Sequence, residues 1–266
     1  MSIVRLLFFT LSLVGSTLVL AAQSHTETGV AALESNQLKQ AFAAFNQGIK
    51  KEEAGSYYYL GRMFENGVGV KADIRQAIKL YEQAAEKKYP QALNQLGLLH
   101  LGAVGVLQDY DKASAYIKQA AELEFAEAQF NYATLLLEGR VVEMDPAAAN
   151  VWLKKAARQG YMMAQLRMAR NYEKGIGTEV NHKNAFFWYE KAANQGNPIG
   201  QYEVSRYYKT GGPVEKNIIR SHQYLNLAAS SGFQRALPEL KKLSEVMKRE
   251  ELMQAQDLAK SWKPSK

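Results

Sequence analysis

Advancing through the chain in steps of 36 residues returns the same residue types. The pair Ala84-Ala85 recurs as Ala120-Ala121, Ala156-Ala157, Ala192-Ala193 and Ala228-Ala229, so all ten positions are alanine. Ala77 is followed in the same way by Ala113, Ala149, Ala185 and Ser221, Asp73 by Asp109, Asp145, Asn181 and Asn217, and Gly61 by Gly97, Ala133, Ala169 and Ser205. No gap is needed, and five units of equal length fill residues 57–236. A fixed period of this size implies a stack of supersecondary units, each too small to bury its own apolar face alone.

Each column has a physical role. Small residues at the Gly61 and Ala84 positions let two helices approach closely, because side-chain size there sets the interaxial distance. Between them, bulky columns fill the space: Leu60, Leu96, Tyr132, Met168 and Val204, then Leu80, Tyr116, Trp152, Trp188 and Tyr224. Leu60 and Phe64, or Tyr81 and Ala84-Ala85, fall three and four apart, which is helix spacing. The unit is therefore predicted to be a helix hairpin. Its loop carries Gly67 and Gly69, or Gly175 and Gly177, where glycine accepts the left-handed backbone that ends a helix. Asp73 and its column stand at the N-cap of the second helix, with Gln76 at capping-box spacing and Pro146 at a preferred first helical position.

The predicted fold class is all-α: a right-handed α-solenoid of stacked helix hairpins with 36-residue repeats at 57–92, 93–128, 129–164, 165–200 and 201–236. Residues 36–56 read as an N-terminal capping helix of the second type, with Ala41 and Phe45 one period before Ala77 and Tyr81. Residues 237–266 read as C-terminal capping helices, and 23–35 as a flexible lead.

Residues 1–22 read as a signal peptide: Arg5, an uncharged apolar run from Leu6 to Leu20, then Ala21-Ala22. The run is about fifteen residues, short of the roughly 20 that span a bilayer as a helix. Export to the periplasm or beyond is the expectation. The chain has no cysteine, which excludes disulfides, thiolate metal ligands and thiol nucleophiles. Its net charge of +7 is spread along the sequence rather than gathered in one block, so no nucleic-acid partner is implied. The four histidines, His25, His100, His182 and His222, have no partner at i+3 or i+4, so no metal site is expected. The glycine loops follow helices, not strands, which removes the phosphate-cradling reading, and no cofactor is expected. No nucleophile–base arrangement stands out from the repeat background, and the chain reads as a non-enzyme.

The segments YYLGRMFENGVGVKADIRQAIKLYEQAAEKKYPQA and NYEKGIGTEVNHKNAFFWYEKAANQGNPIG share a pattern of LG, G-x-G-V, a capping Asp, KA, WY and KAA-x-x-G. On that pattern the chain resembles the Sel1-like repeat family of the tetratricopeptide-like superfamily. The resemblance implies an adaptor: a scaffold of membrane or envelope complexes or, in bacteria, an exported protein tied to surface polysaccharide machinery, flagellar motors or host contact. Cysteine-rich secreted members with affinity for penicillin-like compounds differ from this chain in their disulfides. Local departures from the pattern are Arg140-Val141-Val142 in repeat three, Gly211-Gly212-Pro213 in repeat five, and His100 in the column of Phe64 and Tyr172.

If the resemblance holds, the first helix of each hairpin lines a concave groove. The residues expected there are Tyr58, Arg62 and Glu65; Asn94, Leu98 and Leu101; Phe130, Thr134 and Leu137; Leu166, Arg170 and Glu173; and Tyr202, Arg206 and Lys209. An apolar middle between arginines suits a partner protein or peptide with acidic flanks. Burial of that stripe by superhelical curvature is the alternative. A further alternative is a carbohydrate- or cell-wall-binding module, in which exposed Tyr58 and Tyr202 stack on sugar rings. A cell-wall or lactam hydrolase would need a nucleophile that the sequence does not display.

Overall fold

Thirteen-residue helices make up the repeats in the computed structural model, which describes residues 24–265. The signal-peptide reading of residues 1–22 lies outside the described residues. First helices are α3 (Ala54–Asn66), α5 (Pro90–Gly102), α7 (Ala126–Glu138), α9 (Met162–Lys174) and α11 (Pro198–Thr210). Second helices are α4 (Ile74–Glu86), α6 (Tyr110–Glu122), α8 (Pro146–Arg158), α10 (His182–Asn194) and α12 (Ile218–Ser230). Before them stand α1 (His25–Glu34) and α2 (Leu38–Lys50), and after them α13 (Ala236–Val246) and α14 (Arg249–Ser261). Among the described residues there is no strand, and each helix of the repeats packs on its neighbours in sequence: an all-α solenoid.

The periodic columns do the packing. Every alanine of the Ala77 and Ala84 columns is fully buried, and Gly61 lies so close to the Tyr81 ring that a Cβ would stand 2.7 Å from it. Asp73, Asp109, Asp145, Asn181 and Asn217 each accept a hydrogen bond from the backbone N–H three residues on, satisfying a donor that a helix start leaves open. At Asp73 this is half of a capping box, because Gln76 gives its N–H without returning a side-chain bond.

In repeats one, two and four, the linker joining the two helices also ties that unit to the one before. Its third residue is Gly69, Gly105 or Gly177, at φ +70, +71 and +64. A Cβ there would meet the first residue of the preceding second helix: Leu38 at 2.9 Å, Ile74 at 2.6 Å, and the Pro146 carbonyl oxygen at 2.3 Å. Glycine is needed both for the left-handed backbone and for the close approach.

Two expectations are corrected at the N-terminus. Residues 25–34, read as part of a flexible lead, form α1, which packs on α2 and α3. Ser24 and Glu27 make a reciprocal capping box, and a Cβ on Gly29 would stand 2.2 Å from the Phe45 ring. The Glu53 carboxylate anchors the helix by accepting from the backbone N–H groups of His25 and Thr26, at 3.2 and 2.7 Å, and from the Thr26 hydroxyl at 2.8 Å. Burial acts to raise the Glu53 carboxyl, but hydrogen bonds from His25 and Thr26 outweigh it and hold the pKa at about 2. The N-terminal cap is thus a hairpin, not the single helix expected for 36–56, and residues 54–56 open α3. Hairpins accordingly begin three residues before the predicted frame, at Ala54 rather than Tyr57.

At the other end, α13 continues the first-helix series and α14 folds back on α12. Its fully buried residue is Ala255, while Trp262 packs against the main core and the Ser265 N–H donates to the Asn194 carbonyl at 2.7 Å.

Candidate functional site

The first-helix face carries the apolar stripe half-buried. Leu98, Leu101, Phe130, Leu137 and Leu166 all keep partial exposure, with Phe130, Leu137 and Leu166 packed against the core. The stripe is neither freely exposed nor sealed by curvature. Thr134 donates its hydroxyl to the Phe130 carbonyl.

Two residues expected on this face are buried. Asn94 is 3% exposed; its amide donates to Glu127 and its oxygen accepts from Asn131 at 2.9 Å, bridging adjacent repeats. Tyr58 is 9% exposed because Tyr89, leading into the next first helix, covers it at a ring separation of 5.4 Å. The same contact recurs as Phe130 on Tyr161 at 5.4 Å and Tyr202 on Phe233 at 5.2 Å. Tyr202 is half-buried and donates to Glu239; burial and that bond push its phenol up to about 12. Neither tyrosine offers the open ring face that the sugar-stacking reading requires.

The arginines differ among themselves. Arg62 donates to the Tyr58 hydroxyl at 3.0 Å and pairs with Glu65 at 3.5 Å. Arg206 pairs with Glu203 and lies 3.9 Å from Glu173, and Lys209 pairs with Glu239. Burial pushes the Glu203 carboxyl up despite the pull of Arg206. Arg170 is exposed and has no ion pair among the described residues.

Glu65 and Glu173 occupy one column, and each accepts from a second-helix tyrosine, Tyr81 and Tyr189. The next repeat supplies the amide of Gln95 to Glu65, but the guanidinium of Arg206 to Glu173. In front of Glu173 lies an open cleft of about 450 Å³ lined by His182, Lys183, Arg206, Tyr207, Thr210 and residues Gly211-Gly212-Pro213. The linker of repeat five forms one wall of it. Pro213 stands where repeats one, two and four place Gly69, Gly105 and Gly177 and repeat three places Val141. Gly211 ends α11 at φ +81, ψ −165, unlike the left-handed Gly67, Gly139 and Gly175 at the ends of their helices. The sequence marked Gly211-Gly212-Pro213 as irregular; the cleft itself depends on residues from three helices and was not readable from one column.

The histidines are dispersed. His25 contacts Glu53, His100 stacks on Tyr116, His182 lies 3.4 Å from the Tyr207 hydroxyl, and buried His222 contacts Ser244 at 2.9 Å. Among the described residues no group of three His, Asp or Glu side chains could hold a metal ion.

A protective antigen of uropathogenic Escherichia coli that displays an SLR fold superposes with a TM-score of 0.77 at 28% identity, over 88% of this chain and 51% of the antigen. The present chain therefore spans about half that antigen's length. A Sel1 repeat protein from Oxalobacter formigenes gives a TM-score of 0.73 at 21% identity, over 92% of this chain and 99% of the other. An immunity protein from Pseudomonas aeruginosa, at 17% identity and a TM-score of 0.50 over 76% of this chain and 81% of the other, shares the fold. No curated protein matches the sequence. The Sel1 repeat itself matches five times in succession, at residues 54–89, 90–125, 126–161, 163–197 and 198–233. These frames start within one residue of each first helix, and on them the chain belongs to the Sel1 repeat family.

Proposed function

We propose that the chain is an exported, non-catalytic adaptor that holds a partner protein through an acidic, apolar segment laid along its first-helix face. Sel1 repeats generally mediate protein–protein interaction. The observation that carries the reading is the continuity of the half-buried stripe from Leu98 to Leu166 with unpaired Arg170 and then with the cleft at Lys183 and Arg206. Partly exposed apolar side chains supply contact area, and a cation beside a cleft selects a carboxylate. Arg5 and the uncharged run Leu6–Leu20 support export and cleavage after Ala21 or Ala22. An envelope or secretion-related complex is the setting that such an address suits.

A random-peptide display selection on the purified protein tests this. Selected peptides should be enriched in Asp or Glu beside Leu, Phe or Trp, and Arg170→Glu with Lys183→Glu should weaken them about tenfold or more. Selections without acidic enrichment, or peptides indifferent to both changes, would overturn the reading. Protein recovered from cells should begin at Ala22 or Gln23.

A further inference from the structure

The outer surface of α8 and α10 differs from that of the helices before it. On α4 the exposed carboxylates of Glu82 and Glu86 accompany Arg75 and Lys79, and on α6 Asp111 and Glu122 accompany Lys112 and Lys118. On α8 and α10 the exposed charges are Lys154, Lys155, Arg158, Lys183 and Lys191, and none is a carboxylate. The one acid on the two helices, Glu190, is half-buried. None of the five cations makes an ion pair among the described residues. Between them two apolar side chains face outward in one column, Val151 at 57% exposure and Phe187 at 45%.

The two helices run side by side. The linker before α10 packs on the first turn of α8, where the Asn150 amide donates to the Ile176 carbonyl at 2.8 Å, and at their far ends Gln195 donates to the Gly160 carbonyl at 3.1 Å. Lys191 reaches over the Phe187 ring at 5.6 Å, and Lys155 over Trp152 at 4.3 Å, so both stems lie along apolar surface with the charge outermost. Exposed aromatic and aliphatic groups ringed by unpaired lysines match the boundary of a bilayer, where headgroup phosphates meet acyl chains. A polyanion without an apolar layer would reward the cations alone and leave Val151 without a role.

We infer that the outer face of α8 and α10 docks on the surface of a membrane containing anionic phospholipid, leaving the first-helix face free. Lys183, which borders the cleft, lies at the edge of the docking face and is not part of it, so docking is independent of what the first-helix face holds. Co-sedimentation of the full chain with vesicles of phosphatidylcholine, alone or mixed with phosphatidylglycerol, tests it through differences between variants, to which the N-terminal segment contributes equally. Binding to the mixed vesicles should exceed binding to phosphatidylcholine alone and fall with added salt. Lys154→Gln, Lys155→Gln and Lys191→Gln together should reduce it about tenfold or more, as should Val151→Ser with Phe187→Ser. Arg75→Gln, Lys79→Gln and Lys118→Gln, which remove the same charge from α4 and α6, should leave it within about twofold. Equal loss with both cation sets, or an unchanged affinity in the Val151/Phe187 variant, would overturn the inference. So would tighter binding to a DNA oligonucleotide than to the mixed vesicles, with the same loss in the triple lysine variant.

Discussion

Repeats one and two and repeats three to five are built on the same hairpin, but they settle its recurring problems with different residues. The turn between hairpins needs one left-handed residue. The first half places Glu52, Lys88 and Glu124 there, at φ +57, +56 and +62, whereas the second half places Gly160, Gly196 and Gly232. The fourth position of the first helix is apolar or aromatic in Tyr57 and Leu93, and becomes a buried glutamine in Gln129, Gln165 and Gln201. The outer face changes from mixed charge to cations alone, and the last linker borders a cleft. Geometry is therefore fixed by the columns common to all five repeats. Two of the columns that vary bear on surfaces: the last linker borders the cleft and the outer charges make the basic face, while the turn glycines and the glutamines line neither.

The largest effect expected from this contrast lies in the linkers. Gly69 and Gly177 share a left-handed backbone, so replacing either by alanine carries the same conformational penalty of roughly 1 kcal/mol. They differ in how deeply the new Cβ is forced into the preceding helix start: 2.9 Å from the Leu38 Cβ for Gly69, but 2.3 Å from the Pro146 carbonyl oxygen for Gly177. Gly177→Ala should lower stability by about 4 kcal/mol and Gly69→Ala by about 2 kcal/mol, read from urea midpoints at unchanged slope. Equal losses would mean that the linker contact does not hold repeat three to repeat four.

A smaller effect is expected at the turns. Lys88→Gly should stabilise by about 1 kcal/mol, because a β-carbon in the left-handed region is penalised by roughly 1–2 kcal/mol and glycine gives part of that back in unfolded-chain entropy. Gly160→Lys, whose position has open space around it, should show the reverse with similar size in thermal unfolding. If both changes lowered stability, the two halves would differ in more than the turn residue.

Most of the fold was legible because its determinants repeat: Ala84 and its column, the Asp73 caps and the Gly67 type of helix end each appear where the period puts them. What escaped was aperiodic or depended on a neighbouring unit. The hairpin of α1 was missed because its linker, residues 35–37, is four residues shorter than residues 67–73, which moves Gly29 away from the position one period before Gly61. First-helix starts were misplaced by three residues because Glu53, Tyr89, Phe125 and Tyr161 make no side-chain cap bond, and the start signals that exist, Pro90 and the Asn197-Pro198 pair, occur in two repeats only. Tyr58 was expected to be open because its position lies beside the packed column; the rings that cover it include Tyr81 of the second helix and Tyr89 on the approach to the next helix, neither legible from that column.

The glutamine column gives the smallest expected effect and the most specific one. Gln129 accepts from Gln159 at 2.9 Å, and Gln165 accepts from Gln195 at 2.8 Å, each donor standing at the C-cap of the intervening second helix. At the third step the C-cap of α12 is Ser231, too short to reach, and the oxygen of Gln201 is buried with no partner. An unpaired buried acceptor is penalised by roughly 1–3 kcal/mol, while ordering a long side chain opposes the gain by up to roughly 2 kcal/mol. Ser231→Gln should therefore stabilise by about 0.5 kcal/mol. Gln201→Leu, which copies Leu93 in repeat two, removes the orphaned oxygen by another route. In that background Ser231→Gln should have no effect, so the double-mutant cycle should yield a coupling close to the single-site gain. Additive changes would show that the ladder ends at repeat four for a reason other than the missing donor.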